Sequence, residues 1–344
     1  MTLAPVFRSR KGIEFLLKNH YIEKMQDSIK AQKQTISRMQ NLMPEIIDDA
    51  FLGKNTAKIL DDVSFVQSNF FPLMFHSIYN TLGIEKENSN FYNDINFCVK
   101  GIVIAGDNIF DNEEKTLIPL SLGKGKRFRA IMQLLCFQRL LEITLEEAEK
   151  KGVISDFQKK EIHKEIITRL AEIGTLEGSE EEGIKQIMSP KESIEKVHKI
   201  RGGKLFSLAF IAPMILEGDK EKITKAAVAV EKLGTSFQIV DDITDIEFDI
   251  TRRTNNILLA EIASNGRKEE RDFIEKLYTG KKFENDILES PLSRSIDSVL
   301  TMASQESVEA FSILEEMGFW INPEDSKVLV KAIIGIDEKT KIRN

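Results

Sequence analysis

Apolar and polar positions follow a helical period along nearly the whole chain. Between residues 11 and 43, Ile13, Leu16, Leu17, Tyr21 and Met25 recur at three-to-four spacing against a face dense in Lys, Gln and Glu, which predicts one amphipathic helix or two. A second helical block covers about 55–82 and is broken near Pro72, which has no amide hydrogen to donate. The third, 91–110, is an apolar run (Ile95, Phe97, Val99, Ile102, Val103, Ile104) that ends in acidic residues. A loop with Pro119, Gly123 and Gly125 then leads into an apolar helix over about 128–141. Residues 144–198 predict charged helices separated by Gly152, Gly174, Gly178 and Gly183, and Ser189 caps a helix whose first turn holds Pro190. Helical patterns follow at 205–216, at 220–249 and from about 255 to 262. No run alternates as a half-buried strand does, and no repeat stands out. The expectation is an all-α fold in a single domain spanning residues 1–344.

Composition narrows this picture only modestly. With 344 residues, 42% hydrophobic and 30% charged, the chain can bury a sizeable core. A net charge of −7 argues against a phosphate-backbone-binding face, so no nucleic-acid partner is expected. Cys98 and Cys136 sit among apolar neighbours and form no CxxC pair, which fits buried small hydrophobes better than a disulfide or a thiolate metal site. The N-terminus lacks the charged-then-apolar pattern of a signal peptide. The most apolar stretch, 205–216, contains Pro213 and is too short for a membrane span. A cytoplasmic protein without a transmembrane segment is expected. His20, His76, His163 and His198 are dispersed, with no HxxxH pair, and are read as having no catalytic or metal role.

The candidate chemistry is acidic. Phe237-Gln238-Ile239-Val240-Asp241-Asp242-Ile243-Thr244-Asp245 ends a helix whose apolar stripe is Val230, Leu233, Phe237 and Val240. Asp241, Asp245 and Asp249 are spaced four apart, which on one helix places them on nearly one face. Such a row of like charges costs a few tenths of a kcal/mol per exposed pair, about 0.2–0.5, unless cations sit among them. Carboxylates without His or Cys favour a hard ion such as Mg2+. The competing reading is a solvated acidic face. Asp48-Asp49 and Asp61-Asp62 are acid pairs too, but lack the apolar lead-in and read as surface or capping positions. A second group, Asp107-Asn108-Ile109-Phe110-Asp111, closes the other apolar helix with its two aspartates again four apart. Facing carboxylate clusters in a helical bundle are a recurrent way to hold metals.

These motifs resemble those of the trans-prenyltransferase and class I terpene synthase superfamily. Residues 237–245 are similar to its second aspartate-rich motif, FQxxDDxxD. Residues 107–111 are similar to its first, DDxxD, with Asn108 in place of the second aspartate. Arg201-Gly202-Gly203-Lys204-Leu205-Phe206 resembles the KTxxLF-like stretch that precedes the second motif. The likeness covers about 100–260. It implies an all-α bundle around a central apolar cavity and several Mg2+ ions held by Asp107, Asp111, Asp241, Asp245 and Asp249. It also implies a prenyl diphosphate substrate gripped by Arg201 with Lys199 and Lys204 beside it, and a homodimer. Arg127, with Lys126 and Arg129, and the pair Arg252-Arg253 are further candidate diphosphate ligands; each also reads as a solvated position.

The superfamily divides by what meets the allylic cation. Chain-elongating members carry a GGKRxRP-like motif well before the first acidic motif. Here the similar run Gly123-Lys124-Gly125-Lys126-Arg127-Phe128-Arg129 follows Asp111, and around 50–70 nothing basic and glycine-rich appears, Gly53-Lys54 and Lys58 being isolated. This favours a one-substrate terpene synthase that ionises an allylic diphosphate. The alternatives are a prenyltransferase that condenses it with isopentenyl diphosphate, and a catalytically silent partner subunit.

Overall fold

The computed structural model describes residues 10–53, 61–279 and 290–334. Within them every regular element is a helix, and the sole β-pairing is one isolated antiparallel bridge, Leu52 with Leu120. The chain is all-α. None of the described helices is long and apolar enough to cross a membrane.

Local chemistry sets the helix boundaries. The 11–43 pattern folds as Arg10–Lys18, Tyr21–Lys24 and α1 (Gln26–Leu42), with His20 between the first two in the left-handed region at φ 57°. Asp61 opens α2 (Asp62–Thr81) by accepting the Ser64 amide at 2.8 Å. The start expected at 55–60 lies outside the described residues, as do Lys54 and Lys58. Within α2 the helix kinks at Asn69 (φ −130°, ψ 21°), three residues before Pro72. The proline ring crowds the preceding turn, and Asn69 Nδ2 bonds the Phe65 carbonyl at 3.1 Å there. Both apolar helices run longer than their hydrophobic cores suggested: α3 is Lys86–Phe110 and α4 is Lys126–Lys150. Gly152 and Gly183 break the chain with positive φ (73° and 81°), whereas Gly174 and Gly178 lie inside α5 (Asp156–Ser179). A helix absorbs an interior glycine at a cost of only about 1 kcal/mol. Ser189 caps as expected, in a capping box with Glu192 and with Pro190 in the first turn.

The described residues form two compact units. One comprises Leu16–His163 and Ile211–Gly218. In it α3 packs on α1, α2 and α4, and the Phe137 ring lies over Gly101 so closely that an added Cβ would meet it at 2.1 Å. Cys98 and Cys136 are buried in this core as thiols, and burial raises the pKa of both. The other unit comprises Lys164–Phe210 and 219–334, with 10–15. At its centre, α6 (Lys220–Thr244) packs against α9 (Ser293–Glu316) and against a π-helix, Ile194–Lys204. The π-helix crosses α6 at Gly202 and Gly234, where a Cβ on either glycine would lie 2.2 Å from the other's carbonyl oxygen. Only two glycines permit that approach.

Candidate active site

In the first unit, Asp107 and Asp111 stand at the last turn of α3, partly exposed, with the Asp111 amide bonded to the Asp107 carbonyl at 2.8 Å. Asn108 between them is buried, 3% exposed. Its Nδ2 donates to the Lys115 carbonyl and its Oδ1 accepts the Lys115 amide, each at 2.8 Å, with Gln133 Oε1 3.4 Å from Nδ2. An aspartate could accept from that amide but could not donate to that carbonyl. The departure from DDxxD is therefore a latch for the loop after α3. Asn108→Asp should lower stability by about 2–3 kcal/mol, because a charged group would be buried against a carbonyl. A urea titration measures this; an unchanged midpoint would remove the latch from the account.

The same loop carries the basic run. Glu114 pairs with Arg129, and with Lys126 at 3.9 Å; Glu113 pairs with Lys115. Arg127 is exposed and has no ion pair among the described residues.

In the second unit, Val230, Leu233 and Val240 are buried as expected, while Phe237 is only partly buried and stacks on Phe206 with centroids 5.8 Å apart. The three aspartates do not share one uninterrupted helix. α6 ends at Thr244, Asp245 (φ −97°, ψ 6°) forms the joint, and α7 (Ile246–Arg252) follows. Amide bonds from Asp245 to the Asp241 carbonyl (3.1 Å) and from Asp249 to the Asp245 carbonyl (2.9 Å) preserve the four-residue spacing. Asp241 and Asp245 are partly exposed. The Asp249 carboxylate instead accepts from Thr254 and Asn256, each at 2.8 Å. Burial, then the nearby Asp242 charge, push its pKa up to about 7.

Asp242 points inward, 2% exposed, and accepts from His198 Nε2 and the Ile257 amide, both at 2.8 Å, and from Gln238 at 3.3 Å. Burial works to raise its pKa, but His198, Arg201 and the Ile257 amide hold it below the ordinary aspartate value. Four scattered histidines in sequence give no sign that one packs under an acidic motif 44 residues away. Asn256 caps α8 (Ile257–Asn265) by accepting the Leu258 and Leu259 amides.

The expected diphosphate cations are largely engaged. Arg201 Nε lies 2.5 Å from Glu177 and its terminal nitrogen 3.1 Å from Glu180, and the side chain is 15% exposed. Burial opposes its charge, but the two glutamates more than offset that and raise its pKa. Glu180 is itself buried and also accepts from the Asn255 amide and side chain at 2.9 and 2.7 Å. Lys199 pairs with Glu195 and Lys204 with Glu172, both at 2.7 Å. Arg252 lies over the Phe248 ring, 5.1 Å from its centre, and Arg253 is exposed in the left-handed region at φ 57°.

Among the described residues no three His, Cys, Asp or Glu side chains gather into a ready-made metal cage. The donor set still suits magnesium. Two partly exposed carboxylates at each motif match an ion that keeps several waters and completes its shell with substrate phosphates.

Residues 130–290 match the family model described as polyprenyl synthetase. That stretch includes Arg201 and the second acidic motif and begins after the first. No curated protein sequence matches the chain. Among solved structures, the chain is similar to geranylgeranyl pyrophosphate synthetase from Pyrococcus horikoshii Ot3, with a TM-score of 0.58, 17% identity, and coverage of 91% of this chain and 98% of that one. A decaprenyl diphosphate synthase from Rhodobacter capsulatus superposes with a TM-score of 0.62 at 12% identity, over 95% and 100% of the two chains. Polyprenyl synthase from Caulobacter crescentus CB15, complexed with calcium and isoprenyl diphosphate, gives 0.60 at 14% identity, over 93% and 98%. Residues 130–290 thus resemble a polyprenyl synthetase, and the helical fold is similar to that of these prenyl diphosphate synthases.

Proposed function

We propose that the chain is a trans-prenyltransferase, joining an allylic prenyl diphosphate to isopentenyl diphosphate. The observation that carries this reading is the polyprenyl synthetase match across the second acidic motif. The structural likeness to synthases of prenyl diphosphates supports it, and so does the relative that holds calcium with isoprenyl diphosphate. It replaces the one-substrate terpene synthase as the favoured reading. Asn108, where the first motif departs from DDxxD, serves the loop.

In the reaction the bond from C1 of the allylic substrate to diphosphate breaks and its electron pair leaves with diphosphate. The alkene of isopentenyl diphosphate bonds to C1, and a proton is lost from the adduct. Mg2+, when bound, neutralises charge on the departing diphosphate. Asp107 and Asp111 at the end of α3, and Asp241 and Asp245 at the end of α6, are the metal ligands in this reading. Asp249 stands behind the second pair. Arg127, Arg252 and Arg253 are the cations offered to diphosphate oxygens. Arg201, committed to Glu177 and Glu180, braces the segment before α8 through Asn255. Lys199 and Lys204 stay with their glutamates.

The test is product analysis with Mg2+ and geranyl, farnesyl or geranylgeranyl diphosphate, each with and without isopentenyl diphosphate. Longer prenyl diphosphates, formed only with isopentenyl diphosphate, are expected. Hydrocarbon or alcohol from the allylic substrate alone would establish the cyclase instead, and no diphosphate release with any pair would favour a silent subunit. We also infer a homodimer, supported by Phe128, Ile131 and Leu135, which lie exposed at i, i+3 and i+7 on α4. Light scattering on the same preparation should give twice the 39.2 kDa chain mass; a monomer would refute pairing.

A further inference from the structure

His198 is fully buried beneath the second acidic motif. The π-helix carries it, and the Gly202–Gly234 crossing brings that helix onto α6. Its Nδ1 lies 2.9 Å from the Ser193 carbonyl and its Nε2 lies 2.8 Å from the Asp242 carboxylate. A carboxylate only accepts, so the ring donates through Nε2 to Asp242; the Ser193 hydroxyl, 3.5 Å from Nδ1, and the Ser193 carbonyl hold the other side of the ring.

Asp242 passes this constraint on. The oxygen that meets His198 also accepts the Ile257 amide at 2.8 Å, anchoring the first turn of α8. Asn256, at the cap of that turn, donates to the Asp242 carbonyl at 2.6 Å and to the Asp249 carboxylate at 2.8 Å. Asp242 is therefore turned inward and saturated, while its neighbours Asp241 and Asp245 stay partly exposed. On that inner side the side-chain partner 2.8 Å from Asp242 is the His198 ring.

We propose that His198 is a positioning residue for the second acidic motif: it fixes Asp242 as an internal anchor, so that Asp241 and Asp245 alone turn toward the metal. The proposal rests on the metal-binding reading above. Outer partners of metal ligands typically contribute 10–100-fold to metal affinity, and that range sets the expected effect.

The experiment titrates Mn2+ into full-length protein containing inorganic diphosphate and reads free Mn2+ by electron paramagnetic resonance. Circular dichroism is recorded for each protein. His198→Leu should weaken Mn2+ binding about 10–100-fold, with His198→Gln, which restores one donor toward Asp242, falling between it and wild type. A folded His198→Leu protein with wild-type Mn2+ affinity would overturn the positioning role. Wild-type protein that binds no Mn2+ would instead overturn the metal reading on which the role rests. Nitrogen-15 spectra of the unaltered protein need no variant to fold. A hydrogen on Nε2 of His198 supports the proposal, and a bare Nε2 refutes it.

Discussion

Asp241→Ala is expected to cut diphosphate release by about 10³-fold or more, equivalent to roughly 4 kcal/mol of barrier at 1.36 kcal/mol per decade. The fold should survive, because Asp241 stands partly exposed at the end of α6, whose apolar stripe is Val230, Leu233 and Val240. Its neighbour differs. Asp242→Ala removes the partner of a buried histidine and the anchor of α8, so that variant should lose stability as well as activity. Steady-state kinetics and circular dichroism separate the two cases. Asp241→Ala with wild-type turnover would sink the metal assignment.

Gly202→Ala is expected to be, with Gly234→Ala, the most damaging glycine-to-alanine change among the described residues of the second unit. Its Cβ would stand 2.2 Å from the Gly234 carbonyl oxygen and 2.7 Å from the Gln238 Cβ, so the obstacle is largely backbone and no rotamer relieves it. Overpacking costs about 1–3 kcal/mol and occasionally more; a backbone clash belongs at or above the upper end. The crossing also sets His198 against Asp242, so activity should fall with stability. Gly174→Ala is the matched control. Nothing lies within 4 Å of its added Cβ, and it sits inside α5, so it should be neutral or stabilise by about 0.5–1 kcal/mol. Urea denaturation of the two variants checks both signs, and equal midpoints would refute the glycine crossing.

The helices and the second acidic motif were legible in the sequence because both are local signals. Apolar residues at three-to-four spacing mark α1, α3 and α6, and a capping serine before a proline marks the helix start at Pro190. The capping of Asp48 and Asp61 was readable for the same reason, since each side chain accepts an amide two or three residues on. Three features were not readable. The break at Asp245 follows no proline or glycine. The Asn108 latch closes on a backbone seven residues away. The ion pairs of Arg201 with Glu177 and Glu180, 24 and 21 residues earlier in the chain, leave no local sign either. Pairings of that kind depend on how helices pack, and periodicity does not encode them.

In the proposed function, residues 237–249 close on diphosphate through metal bound at Asp241 and Asp245, which anomalous scattering from crystals grown with Mn2+ and an unreactive allylic diphosphate analogue tests. Mn2+ peaks are expected at coordination distance from the Asp241 and Asp245 carboxylates, with Asp242 still bonded to His198. An ordered analogue with no Mn2+ at either carboxylate, or Mn2+ bound by Asp242 after it has left His198, would contradict this reading.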